Sequence, residues 1–130
     1  MGEGISQYVF IDTNVLINDF FFRSRERVAG KSATIAIQFL RAKPKVTLHV
    51  ASFSLVQLIS TLDRANVPKE EIAEELKRII SRFKLVDLTA KDFTNALEVA
   101  YTDTEDSLQY TLCRKASSPT TSRILRFLSW

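Results

Sequence analysis

The segment Tyr8-Val9-Phe10-Ile11-Asp12-Thr13-Asn14-Val15-Leu16-Ile17 most constrains what this chain can fold into, because it sets one carboxylate inside an otherwise apolar run. Four apolar or aromatic residues before Asp12 predict a strand over 8–12 that is buried on both faces. Thr13 or Asn14 then starts a helix running to about Phe22. An ionised carboxylate at such a junction must be paired, hydrogen-bonded or bound to a cation. In parallel α/β folds the same edge is where ligands bind.

The rest of the chain repeats the alternation of strand and helix. A helix is expected from about Val28 to Ala42, with Ala33, Ile35, Ala36, Phe39 and Leu40 available to a core, and Pro44 stops it. Val46–Val50 is β-rich and reads as the second strand. Ser54-Leu55-Val56-Gln57 fits a capping box and opens a helix to about Arg64. Pro68-Lys69-Glu70-Glu71 opens another, with Ile72, Leu76, Ile79 and Ile80 turned inward. Phe83–Leu88 forms a third strand, and further helical segments follow from Thr89 and over Glu105–Lys115. Strands alternating with helices predict a parallel sheet covered on both faces. With 130 residues, three Gly and three Pro, one domain and one core are expected.

Composition narrows the setting. The single Cys113 cannot form an internal disulfide and reads as a core residue of the last helix. No leader-like start and no stretch of about 20 apolar residues is present, so a cytoplasmic protein with no membrane role is expected. The formal net charge is only +3, yet Arg23, Arg25, Arg27, Lys31, Arg41, Lys43 and Lys45 crowd one third of the chain. Such a stretch can neutralise phosphates and steer a polyanion towards the carboxylates, or form a solvated face. His49, the only histidine, has no Cys or second His near it in sequence, which disfavours a metal role.

The second acidic constellation is Tyr101-Thr102-Asp103-Thr104-Glu105-Asp106-Ser107-Leu108-Gln109-Tyr110, with three acids in four positions before an apolar helix. Carboxylates at a helix N-terminus favour the dipole, which accounts for one or two of them. Taken with Phe10-Ile11-Asp12-Thr13-Asn14-Val15-Leu16, the segment Asp103-Thr104-Glu105-Asp106-Ser107-Leu108-Gln109 resembles the PIN-domain family, compact α/β nucleases that include the ribonuclease toxins of bacterial toxin-antitoxin pairs. The likeness runs in order from about residue 8 to 115. It implies a three-layer fold with a central parallel sheet flanked by helices. It also implies hydrolysis of RNA phosphodiester bonds at carboxylates that hold Mg²⁺ or Mn²⁺, a small antitoxin partner, and homodimers. Asp12, Asp106 and Asp103 would be the catalytic and metal-holding residues, with Glu105 in the acidic rim and Asn14 orienting a ligand or the phosphate. Independently of the resemblance, two carboxylates about 4 Å apart repel by roughly 4 kcal/mol at an effective dielectric of 20, so converging acids call for a cation or a shared proton.

Two departures point to an impaired copy. The family supplies a Glu from the helix after the second strand, and here Gln57 stands at that position; it can bind a cation only weakly or serve as a helix cap. The tail, Ala116 to Trp130, has no acid and no clear strand, so the sheet is expected to lack its last strand or strands. A frameshift accounts for the tail: read with each codon's third base moved to the next codon, one permitted sequence is IISNNIKDFEVPIM, the strand and polar turn that the family places there. The chain therefore divides into a PIN-like domain over 1–115 and an atypical tail over 116–130. The alternative function is a non-catalytic module of the same fold that binds RNA or a protein. A phosphotransfer domain with Asp12 as nucleophile fits less well, because Asn14 stands where its second acid belongs.

Overall fold

The structure, a computed structural model, describes residues 6–87, 89–91, 94 and 123–128, with only the backbone described for 6 and 123–128. Its elements are β1 (Ser6–Ile11), α1 (Thr13–Arg25), a 3₁₀ turn over Val28–Gly30, α2 (Lys31–Arg41), β2 (Val46–Ala51), α3 (Ser52–Arg64), α4 (Lys69–Arg82), β3 (Lys84–Val86) and β4 (Arg123–Leu128). The strands form one parallel sheet in the order β3-β2-β1-β4.

Alternation along the strands separates the two faces of the sheet. Val9 and Ile11 of β1 and Leu48 and Val50 of β2 join Val15, Leu16 and Phe20 of α1, Ile37 of α2, Leu58 and Leu62 of α3 and Ile79 of α4 in one core. The four described helices thus cover the same face, as right-handed crossovers from β1 to β2 to β3 require. On the other face the His49 ring lies 5.3 Å from that of Tyr8 and 5.2 Å from that of Phe10. The helices expected from Thr89 and over Glu105–Lys115, and with them Cys113, fall largely or wholly outside the described residues.

Several expectations need correction. The tail does contain a strand. Residues 123–128 pair in parallel with β1 along its whole length, from Ser6 with Arg123 to Ile11 with Leu128, so the sheet is not short on that side. Ile124, Leu125, Phe127 and Leu128 supply the apolar and aromatic character that a strand beside β1 demands. The capping box at Ser54 does not form, because β2 runs to Ala51 and α3 starts at once with Ala51 as its N-cap. On α2 the buried arc is Ala33, Thr34 and Ile37, while Ile35 and Phe39 face solvent. On α4, Ile80 points outward and Glu75 is buried.

Glu75 belongs to the charged cluster that ties α1 to α4. Asp19, 2% exposed, takes hydrogen bonds from Thr34 Oγ1 (2.7 Å) and Arg23 Nε (3.0 Å) and lies 3.6 Å from Arg78. Arg23 also donates to Glu75 at 2.6 Å, and Arg78 lies 3.3 Å from the same carboxylate. Burial works against the charge on Arg23, but its hydrogen bonds to Asp19 and Glu75 outweigh that and hold its pKa above the ordinary guanidinium value. Two acids and two bases thus close a neutral cluster at the helix interface. Gly30 completes the packing there, since a Cβ at this position would collide with the Asn18 carbonyl of α1.

Candidate active site at the end of β1

Asp12 follows the last residue of β1 and precedes the first of α1. The crossovers lead from β1 towards β2 and β3, whereas β4 lies on its other side, so the C-terminal end of β1 is the switch point of the sheet. Asp12 is extended (φ −74°, ψ 157°), and its backbone carbonyl accepts the Val15 and Leu16 amides at 3.1 and 3.3 Å. Its side chain does not cap the helix it precedes. Half-buried, the Asp12 carboxylate has no hydrogen bond or ion pair among the described residues.

Beside it Thr13 is buried, and its hydroxyl donates to Gln57 Oε1 across the α1–α3 junction at 2.6 Å. This bond explains why Gln57 is no cap. Helix α3 starts at Ser52, so Gln57 lies beyond its first turn and reaches sideways to α1. With the amide oxygen receiving the Thr13 hydroxyl, the amide nitrogen is the end left to donate.

Asp12, Thr13 and Asn14 form one wall of a cleft of about 470 Å³, and Gln57, Ser60, Thr61 and Arg64 form the other. The latter four share one face of α3 through the i, i+3, i+4, i+7 spacing. That spacing, counted from Gln57, could have found Arg64 in the sequence. Among the described residues the cleft therefore holds one carboxylate, one guanidinium and neutral amide and hydroxyl groups, with Ile17 and Val56 as its apolar lining. Its oxygen donors match a hard divalent cation in type and fall short in charge, since Asp12 brings the only negative charge among the described lining residues. Asp103, Glu105 and Asp106 lie outside the described residues, as does any contact between them and Asp12.

The basic stretch is distributed differently from a funnel towards this cleft. Arg23 is held by Asp19 and Glu75, and Arg25 makes two hydrogen bonds to Glu71, at 2.7 and 3.0 Å. Lys45 sits at the far end of β1, where its carbonyl accepts the Gln7 amide, so the Lys43–Lys45 turn borders the sheet edge opposite Asp12.

A second cavity, about 620 Å³, lies on the sheet's other face against Tyr8, Thr47, His49 and Lys84. Burial, opposed by the hydrogen bond with the Thr47 carbonyl and aided by the charge of Lys84, lowers the His49 pKa below the ordinary imidazole value. Packed beside Tyr8 and Phe10, with Nδ1 3.3 Å from the Thr47 carbonyl, His49 is a structural residue. Among the described residues no helix is long and apolar enough to cross a membrane.

The fold has counterparts among known structures. One is VapBC2 from Rickettsia felis, solved bound to a DNA fragment from its promoter. It superposes with a TM-score of 0.58 at 14% identity over 94% of this chain and 99% of that one. Mycobacterium tuberculosis VapC20, a Sarcin-Ricin loop cleaving toxin, gives 0.57 at 16% identity over 82% of each chain. At such identities the likeness is one of fold alone. No curated protein matches this chain in sequence. The PIN domain family profile matches residues 9–122, from the middle of β1 to the residue before β4, and the chain therefore belongs to the PIN domain family.

Proposed function

We propose that the protein is a metal-dependent ribonuclease of the PIN type, weakened in this copy, whose centre is Asp12. The observation that carries this reading is a carboxylate at the sheet's switch point, half-buried in a cleft and without a partner among the described residues. Asp19 and Glu75, buried structural carboxylates of the same chain, are partnered, so a carboxylate that no described residue partners is poised for a ligand. Asp12, with Asp106 and Asp103 brought to it from the chain between β3 and β4, would hold Mg²⁺ or Mn²⁺. When bound, such an ion supplies an activated water and neutralises charge developing on the phosphodiester. Asn14 would orient the phosphate, Glu105 would complete the acidic rim, and the Gln57 amide and Arg64 would donate to phosphate oxygens.

In the cytoplasm such a nuclease would be restrained by a small antitoxin-like protein and would assemble as a homodimer. The name of one structural neighbour, a Sarcin-Ricin loop cleaving toxin, supports the toxin part of this reading. A second reading, a non-catalytic module that binds RNA or a protein, is favoured by Gln57, a neutral residue already engaged by Thr13. Both readings are tested by incubating single-stranded RNA with the protein and Mg²⁺ or Mn²⁺. Cleavage that disappears in Asp12→Asn and in Asp106→Asn supports the nuclease. Salt-sensitive RNA binding without cleavage supports the module, and cleavage unchanged in both variants rejects the site.

The weakening has a further proposed cause in residues 116–130, encoded out of frame beyond the nuclease core over 1–115. The coding DNA across codons 113–130 tests it. Restoring the other frame should raise activity, and a stop codon in that frame, or homologous DNA encoding the same tail, would reject it.

A further inference from the structure

The two walls of the Asp12 cleft present opposite chemistry to a ligand. The β1–α1 wall carries the Asp12 carboxylate, and the α3 wall carries Gln57, Ser60 and Arg64, which share one helix face through their i, i+3 and i+7 spacing. Thr61 lies on that face too, but its hydroxyl donates at 2.9 Å to the Gln57 backbone carbonyl. Among the described residues the Ser60 hydroxyl and the Arg64 guanidinium have no partner, and Arg64 makes no ion pair with Asp12 across the cleft. Side chains on a helix lean towards its N-terminus, which draws Arg64 towards Ser60 and Gln57.

The direction of the Gln57 amide decides what this wall can hold. Thr13 Oγ1 and Gln57 Oε1 are 2.6 Å apart, a distance ordinary for an O–H···O bond and short for an N–H···O bond. Thr13 is buried, and its hydroxyl has no other acceptor among the described residues. The reverse bond, from the amide nitrogen to the Thr13 oxygen, would leave that proton buried and unpaired. Thr13 therefore keeps the amide oxygen occupied and the amide N–H groups free to donate. A carboxylate at position 57 would repel an anion; the amide held this way attracts one. Guanidinium, hydroxyl and amide N–H together complement the acceptor oxygens of a phosphate group. We infer that the α3 wall is a phosphate subsite that works without a metal ion, with Gln57, Ser60 and Arg64 as its donors and Thr13 as the positioning residue that turns the amide. This rests on the cleft proposed above as the functional site, and it assigns the opposite wall from Asp12 to the anion.

The test is a titration of the full chain in EDTA, followed by the side-chain amide resonance of Gln57, with inorganic phosphate in one arm and a short oligouridylate lacking terminal phosphates in the other. A saturable shift of that resonance is expected. A shift with the oligouridylate alone assigns the subsite to backbone diesters, and a shift with inorganic phosphate alone assigns it to a free phosphate. Gln57→Glu and Arg64→Gln should each weaken the binding at least about tenfold. Asp12→Asn should tighten it roughly threefold, because it removes the negative charge across the cleft. Thr13→Val should weaken binding, read by the Arg64 side-chain resonance as well, and Thr13→Ser should restore it. Gln57 and Arg64 are exposed, so their variants keep the test decisive should Thr13→Val fail to fold. No saturable shift in either arm, binding that appears only with Mn²⁺, or binding unchanged in Gln57→Glu and Arg64→Gln would overturn the inference. Metal-free binding by a chain that cleaves no RNA would reject the nuclease reading alone, and cleavage without metal-free binding would reject this subsite alone.

Discussion

Asp12 and Asp19 flank the first half of one helix, and their surroundings are opposite. Asp19 is 2% exposed and meets Thr34, Arg23 and Arg78, so its charge is fully compensated inside the α1–α2–α4 interface. Asp12 is half-buried at a cleft mouth, and no described residue compensates it. Both are acids in an apolar sequence context, and only the partner accounting separates them. The charge of Asp19 serves the fold, while that of Asp12 is the one the proposed function assigns to a ligand.

The largest expected effect falls on Asp19. Asp19→Ala leaves Arg23 and Arg78 facing Glu75 alone, and removal of one member of a buried charged cluster costs about 3–5 kcal/mol. Thermal or urea unfolding should register it, and a loss below about 1 kcal/mol would break the comparison. Asp12→Asn should instead leave stability within about 0.5 kcal/mol. If it melted as early as Asp19→Ala, Asp12 would be a structural residue too. Gln57→Glu sharpens the contrast from the other side of the cleft. A second carboxylate beside Asp12 should raise Mn²⁺ affinity about tenfold, or roughly 1.4 kcal/mol, by titration calorimetry. An unchanged affinity would mean that residue 57 does not face the ion.

The smallest effect is a pH dependence far from the cleft. Burial, then Lys84, depress the His49 pKa in the folded chain, so below the ordinary value of about 6.5 the unfolded chain binds the proton more readily. His49 therefore contributes no pH-dependent loss above that value, and stability falls as pH drops from there towards its folded pKa. Melting temperatures across this window should decline more steeply in the unmodified chain than in His49→Phe, and parallel slopes would contradict the assignment.

Much of this was legible in the sequence. The apolar runs of β1 and β2, the Pro68 start of α4 and the placement of Asp12 at a strand end all follow from local residue chemistry. Helix α2 was misread because it is apolar on two sides. Periodicity reports both the Ala33–Ile37 arc and the Ile35–Phe39 arc, and only the Asp19–Thr34 bond and the contacts with β2 decide which turns inward. The burial of Glu75 was hidden for a related reason. Its partners, Arg23 and Arg78, are a distant arginine and a neighbour in its own helix, and a long-range ion pair leaves no local pattern. The cap expected at Ser54 and Gln57 does not form, because β2 runs directly into α3 without the turn such a cap would need. Strand β4 was missed because Arg123 and Arg126 interrupt the apolar run, and its pairing with β1 is entirely non-local.

The contrast between the two aspartates is tested most directly by Mn²⁺-induced broadening of backbone amide resonances in the unmodified chain and in Asp12→Asn. A functional carboxylate at the switch point predicts selective broadening at residues 12–14 and around Gln57, absent in Asp12→Asn and retained in a variant at Lys77, whose 3.6 Å ion pair to Glu74 lies on the surface. Broadening of residues 12–14 that persists unchanged in Asp12→Asn, or that centres on Asp19 and Glu75 instead, would contradict it.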